Sequence, residues 1–208
     1  MRVVFAVILC LALLPSRAHA EDVSDALSVA WESFWQQTGY PRYVYKWQAP
    51  MRVRFTGASV QRHSAFAMQQ LKQVADIAGM PITQVAVDDA TANVEVEFVS
   101  TSEPLPDKQP CVTNTTARNG VIQRARIRAN ELSVWRCMLH ESMHLMGIPG
   151  HPMGNSILTY FARSGGLTET DTLLLRTIYS EEVQPGMSPF AVLPILARHI
   201  VEGSRDRP

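Results

Sequence analysis

The sequence predicts an α+β domain, and three observations carry that prediction. Segments with helical spacing bracket a lone alternating stretch; further alternating stretches follow one another with no helix between them; the rest of the chain returns to helical spacing. In order, the elements are helix, strand, helix, three or four strands, helix, loop and helix.

The first 20 residues are set aside as an export signal. Arg2 supplies positive charge, Val3 to Leu14 is almost unbroken apolar sequence, and Ala18-His19-Ala20 has the A-x-A form of a cleavage site. This apolar run falls short of the roughly 20 residues that span a bilayer. No later stretch is long and apolar enough to do so. The expectation is a cleaved signal, a secreted or periplasmic protein, and no stable membrane insertion. Removal of Arg2 and Arg17 leaves 17 basic against 19 acidic residues, and a near-neutral chain gives no electrostatic basis for binding nucleic acid. Residues 21–208 are enough for one domain with its own core and too few to demand two.

Residues 23–37 place Val23, Ala26, Leu27, Ala30, Trp31, Phe34 and Trp35 at helical spacing, with Gly39 and Pro41 closing the helix, which is expected to pack on the domain. Residues 51–56 alternate as Met-Arg-Val-Arg-Phe-Thr, a half-buried strand. A long helix over 61–79 follows, with Phe66, Met68, Leu71, Val74, Ala75 and Ile77 apolar and Gly79 at its end. Residues 82–87 and 93–99 are strands, the second with Val94, Val96 and Phe98 inward. After a Pro- and Ser/Thr-rich loop, a short edge strand is expected at 111–115, and it is the candidate to pair with an extended substrate. Residues 121–128 form a further strand, with Val121, Gln123, Ala125 and Ile127 opposed to a cationic face of Ile122, Arg124, Arg126 and Arg128.

The next helix, over 131–146, carries Leu132, Trp135, Leu139, Met143 and Met146 on one side, and Gly147 stops it. Residues 148–160 are irregular. Thr168 opens another helix, with Asp171 three residues on in a variant of the capping box and Leu173, Leu174, Thr177 and Ile178 facing the core. An amphipathic segment over 188–201 ends the chain.

Two cysteines remain after the signal, Cys111 and Cys137, and an oxidising compartment makes their pairing the expectation. Cys137 is a poor metal ligand beside His144. Seven helical residues separate them, about 10 Å along the axis, too far for donors that must lie within about 2.3 Å of one zinc.

The chemistry lies in His140-Glu-Ser-Met-His144, the HExxH pattern. Residues four apart share a helix face, so both imidazoles reach one zinc ion at about 2.0–2.1 Å. Glu141, one step round the cylinder, is placed to take a proton from water that zinc has made acidic. Gly147 allows the chain to turn back in the αL conformation at little steric cost. Pro149 and Gly150 bend it again, and His151 is then the nearby histidine able to complete a three-ligand site with an open fourth position. Glu169, on the downstream helix, is the rival third ligand. His63 and His199 stand alone on predicted helices and are taken as ordinary surface or core residues. A GxSxG elbow, a glycine-rich phosphate loop and a paired-Cys zinc motif are all missing from the sequence.

These residues resemble the metzincin clan of zinc endopeptidases, whose signature is HExxHxxGxxH or its Asp variant. His140, Glu141, His144 and Gly147 match it; the third ligand would fall on Gly150, and His151 is one residue late. Ser156-Ile-Leu-Thr-Tyr160 resembles the clan's Met-turn, with Leu158 where Met is usual. Leu167-Thr-Glu-Thr-Asp171 leading to Ile178-Tyr179 is similar to the C-terminal helix of matrix-metalloprotease-type domains. The resemblance covers about residues 51–180 and points to poorly characterised bacterial exported proteases. It implies a zincin-like mixed sheet with its active-site helix in an upper part, about 51–147, and a small, mostly helical lower part, about 148–208. It further implies one catalytic Zn2+, a peptide or protein substrate, Glu141 as general base, and Tyr160 as hydrogen-bond donor to the developing oxyanion. Two alternatives stay open: an exported binding protein that keeps the fold without catalysis, and a zinc amidase acting on cell-wall peptides.

Overall fold

The computed structural model describes residues 17–35, 43–103, 105, 109–159 and 165–205. Residues 1–16 of the predicted signal lie outside them, as do Gly39, Pro41 and Tyr160. Among the described residues are five helices and five strands: α1 (Arg17–Trp35), β1 (Met51–Gly57), α2 (Val60–Ile77), β2 (Ile82–Gln84), β3 (Val94–Val99), β4 (Cys111–Arg118), β5 (Val121–Asn130), α3 (Val134–Leu145), α4 (Glu169–Ile178) and α5 (Pro189–Arg205). No helix among them is long and apolar enough to cross a membrane.

The fold is α+β around one mixed sheet of order β2-β1-β3-β5-β4. β1 pairs in parallel with β2 and β3, β3 in parallel with β5, and β4 alone runs antiparallel, at the edge. Period-two burial explains why the sheet has two unlike faces. Met51, Val53 and Phe55 of β1, Val94, Val96 and Phe98 of β3, and Ile122, Ala125, Ile127 and Ala129 of β5 are all buried. Helix α2 packs on β1 and β2, and α3 on β4 and β5. The opposite face carries ion pairs, cross-strand between Arg126 and Glu95 and Glu97, Arg128 and Glu97, and Arg54 and Glu95, and from strand to loop between Arg128 and Glu103 and Arg52 and Asp89. The cationic stripe of β5 is thus matched by the glutamates of β3. Helices α1, α4 and α5 pack on one another as a second group, and α2 also touches α4, so a single core runs from the sheet to the C-terminal helices.

Several elements differ from the sequence expectation, each for a visible reason. Ile122 was expected among the arginines, yet it is buried at 2% exposure. The β4–β5 register slips between Thr116 and Ala117, which pair with Arg124 and Ile122 and leave Gln123 as an extra residue. Such a bulge turns the residues before it over to the other face. β4 is eight residues long rather than a short edge at 111–115, because a two-residue turn at Asn119-Gly120, with φ of 53° and 78°, joins it directly to β5. An Asn-Gly pair with both φ positive is the favoured hairpin turn, and that signal was present in the sequence. β2 is only three residues long, ending before the 85–87 portion of the predicted strand.

The predicted stripe of α3 holds at Met143 and Met146, which are buried, and at Leu139, which packs against the core, but not at its start. Leu132 and Trp135 are exposed (72% and 58%), whereas Val134, Cys137, Met138, Glu141, Ser142, Met143 and Leu145 are buried. Trp135 instead covers Phe66 of α2, ring centroids 4.1 Å apart. The buried face includes a carboxylate and a hydroxyl, and that polarity hid part of it from a hydrophobicity pattern.

Cys111 at the start of β4 and Cys137 on α3 form a disulfide, with Cα atoms 6.2 Å apart. Closing a loop across 26 residues removes denatured-state freedom worth about 3.5 kcal/mol. The paired Cys111→Ser and Cys137→Ser variant is expected to lose roughly that much in urea unfolding; an unchanged midpoint would contradict it.

Candidate metal centre

Helix α3 carries His140, Glu141 and His144, and its C-terminal end is held by side chains from elsewhere in the chain. The last carbonyls of a helix lack intrahelical donors. Here the Trp47 indole N–H donates to Leu145 O at 2.9 Å, and the Tyr179 hydroxyl donates to Met146 O at 3.0 Å. Gly147 follows with φ 87°, its N–H bonded to His144 O at 2.9 Å. A Cβ at this position would stand 2.1 Å from Tyr45 O, so both conformation and space demand glycine.

The chain then returns along 148–157. Nδ1 of His144 lies 2.7 Å from Ile148 O, and Nδ1 of His140 lies 2.9 Å from Ile157 O. A carbonyl only accepts, so both Nδ1 atoms carry the proton and both Nε2 atoms present lone pairs. These Nε2 atoms are 3.0 Å apart, and His151 Nε2 lies 3.1 Å from that of His144. One ligand atom from each of the three histidines lies within 4.8 Å of the others.

The donor set fits a metal ion. Two Nε2 atoms without protons at 3.0 Å repel unless a cation sits among them. A tetrahedral zinc at 2.0–2.1 Å from each nitrogen would hold them about 3.3 Å apart, close to the separations found. Protons do not substitute readily. Burial, then the neighbouring His140 and His151, pushes His144 down to about 3; burial, then His140, takes His151 to about 4. Burial also lowers His140, opposed by its bond to Ile157 and by the charge of Asp171.

Glu141 is 5% exposed, and burial pushes its carboxyl up to about 7 while a bond from Thr113 pulls the other way. The Thr113 hydroxyl donates to Glu141 Oε2 at 2.6 Å from the edge strand β4. This contact and the Cys111–Cys137 bridge are two residues apart on β4 and four apart on α3, the spacings that share a face on each element.

Asp171 serves two elements at once. Within the capping box it accepts from Thr168 N at 2.8 Å, and it also accepts from Ser156 Oγ at 2.5 Å and Ile157 N at 2.9 Å. Helix α4 therefore fixes the turn whose Ile157 carbonyl orients His140. Leu158, in that turn, is fully buried.

The sequence-predicted residues His140, His144 and His151 converge, and Glu169 is not part of their group. His63 is buried against Phe98 and Trp135, and His199 bonds Thr177 and Glu182, both away from the three. Sequence reasoning missed Thr113, Trp47 and the link from Asp171 to Ile157; no local pattern connects residues so far apart in the chain.

Residues 27–198 match a protein family described as of unknown function, DUF2927. The chain belongs to that family. The matched span runs from the second half of α1 into α5 and so includes every residue of the histidine site. No curated protein matches the chain.

Proposed function

We propose that this member of the DUF2927 family is an exported zinc-dependent endopeptidase of zincin-like fold. The observation that carries the proposal is the convergence of three histidine ring nitrogens, two of them held unprotonated by carbonyls at Nδ1, beside a buried glutamate in an HExxH helix. The sheet order, with one antiparallel edge strand next to that helix, supports the fold assignment.

His140, His144 and His151 would hold the ion, with Ile157 and Ile148 carbonyls keeping two of the rings in the ligating tautomer. Zinc, when bound, supplies Lewis acidity and a water that is nucleophilic at neutral pH. Glu141 is the proton carrier: Thr113 occupies Oε2, leaving Oε1 to accept a proton from water and hand it to the leaving amine. β4 is the terminal strand of the sheet, and its outer edge is where an extended peptide adds as a further strand. Thr113 lies on that strand, so the group that positions the base also sits where the peptide docks.

The testing experiment is metal content of the purified protein by mass spectrometry after extensive dialysis, joined to digestion of a peptide library. One zinc per chain, lost in His151→Ala, with cleavage abolished by a chelator, is the expected result. A protein without zinc would hand the assignment to an exported binding protein. Zinc with cleavage confined to cell-wall peptides would make it an amidase.

A further inference from the structure

The histidine that completes the site is not held by the helix that carries the other two. Its loop is held by α1. Gly150 N–H donates to the Ser33 carbonyl at 2.7 Å, and Met153 N–H donates to Glu32 Oε2 at 2.6 Å. The two bonds bracket His151. Ser33 and Glu32 belong to the last turn of α1, where carbonyls have no intrahelical partner and accept from elsewhere.

The contact is close as well as polar. A Cβ at Gly150 would stand 2.3 Å from Glu32 O and 2.5 Å from Ser33 O, and a Cβ at Gly154 would meet Val29 Cγ2 at 2.4 Å. Val29, Ala30, Ser33 and Phe34 are buried, so this end of α1 is itself seated in the core. The space at 150 is filled by helix backbone, which gives a physical reason why the ligand stands at 151 and glycine stands where the metzincin signature places it.

We propose that the last two turns of α1 are a positioning element for the third metal ligand: Glu32 and Ser33 hold residues 150–153 so that His151 closes on His140 and His144, and docking of α1 sets the affinity of the site. The inference rests on the zinc occupancy proposed above.

Zinc affinity of the purified protein, measured by competition with a chromophoric chelator, tests it alongside thermal unfolding of the metal-free form. Glu32→Ala is expected to weaken zinc binding about 10–100-fold, the usual effect of losing a group that orients a ligand. Glu32→Gln retains an acceptor for Met153 N–H and should stay near the parent affinity. Gly150→Ala should weaken binding at least as much as Glu32→Ala. Ile200→Ala, a core truncation on α5, should lower the Tm of the metal-free form and leave zinc affinity unchanged. Parent-like affinity in Glu32→Ala, or an equal loss in Ile200→Ala, would overturn the role of α1 while zinc binding by the parent stands. No zinc bound by the parent protein would overturn the zinc assignment and this inference with it.

Discussion

Replacing Glu141 with glutamine is expected to leave one zinc per chain and to lower peptide turnover by about 10²–10⁴-fold, the range for losing a positioned general base. Glutamine keeps the shape of the side chain and an oxygen for the Thr113 hydroxyl at Oε2, so the tie between β4 and α3 survives. What it loses is the ability to take a proton. Each tenfold loss is about 1.4 kcal/mol of barrier, and this loss falls on kcat, since Glu141 is not among the three histidines proposed to hold zinc. Glu141→Ala would be a less clean variant: it opens a cavity at a 5%-exposed position and strips the hydroxyl of its carboxylate acceptor. Steady-state kinetics with a quenched fluorescent peptide, beside metal content, separates the possibilities. Parent-like kcat in the glutamine variant would end the proposed role of Glu141.

The second large effect is expected at Asp171. Its carboxylate is 1% exposed and accepts from Ser156 Oγ, Ile157 N, Thr168 N and Thr168 Oγ1. Asp171→Ala leaves the buried Ser156 and Ile157 donors and the half-buried Thr168 donors without this acceptor, at about 1–3 kcal/mol for each buried one that stays unsatisfied. A total loss of about 4 kcal/mol corresponds to roughly 10 °C in Tm for a domain of this size. The same change frees the turn at Ile157, so His140 loses the carbonyl that orients it, and zinc affinity should fall about 10–100-fold. Asp171→Asn keeps one acceptor oxygen and turns an amide toward the remaining donors, so it should lie between the parent and alanine. Thermal unfolding of the metal-free protein and zinc competition check the two parts separately. If Asp171→Ala lowers Tm but leaves zinc affinity intact, the path from Asp171 through Ile157 to His140 carries no weight.

Much of the framework was legible because it obeys local periodicity. The inward residues of β3, the run of α2 into Gly79 with φ 66°, and the Thr168–Asp171 capping box each depend on neighbours within a few positions. The pairing of Cys111 with Cys137 followed from an even count in a chain expected to be exported. The buried face of α3 was legible only in part. Its buried face holds Glu141 and Ser142 as well as the expected Met143 and Met146, while Leu132 and Trp135 are exposed, Trp135 lying against Phe66, so counting apolar residues found the C-terminal part of the face and missed its N-terminal part. Ile122 was misplaced for a related reason: an alternating pattern assumes an unbroken pleat, and one bulge at Gln123 inverts everything before it.

By itself, the sequence determined which residues of α3 could face one ion, because a four-residue step on a helix always returns to the same side, and it determined that the helix must stop at Gly147. Tertiary structure alone decided how those imidazoles are held. The Ile148 and Ile157 carbonyls, the Thr113 hydroxyl, the Trp47 and Tyr179 caps and the end of α1 beneath Gly150 reach the site from distant parts of the chain. Hydrogen bonding has no period along a sequence. Which donor meets which acceptor is settled only when packing brings the elements to within about 3 Å of each other.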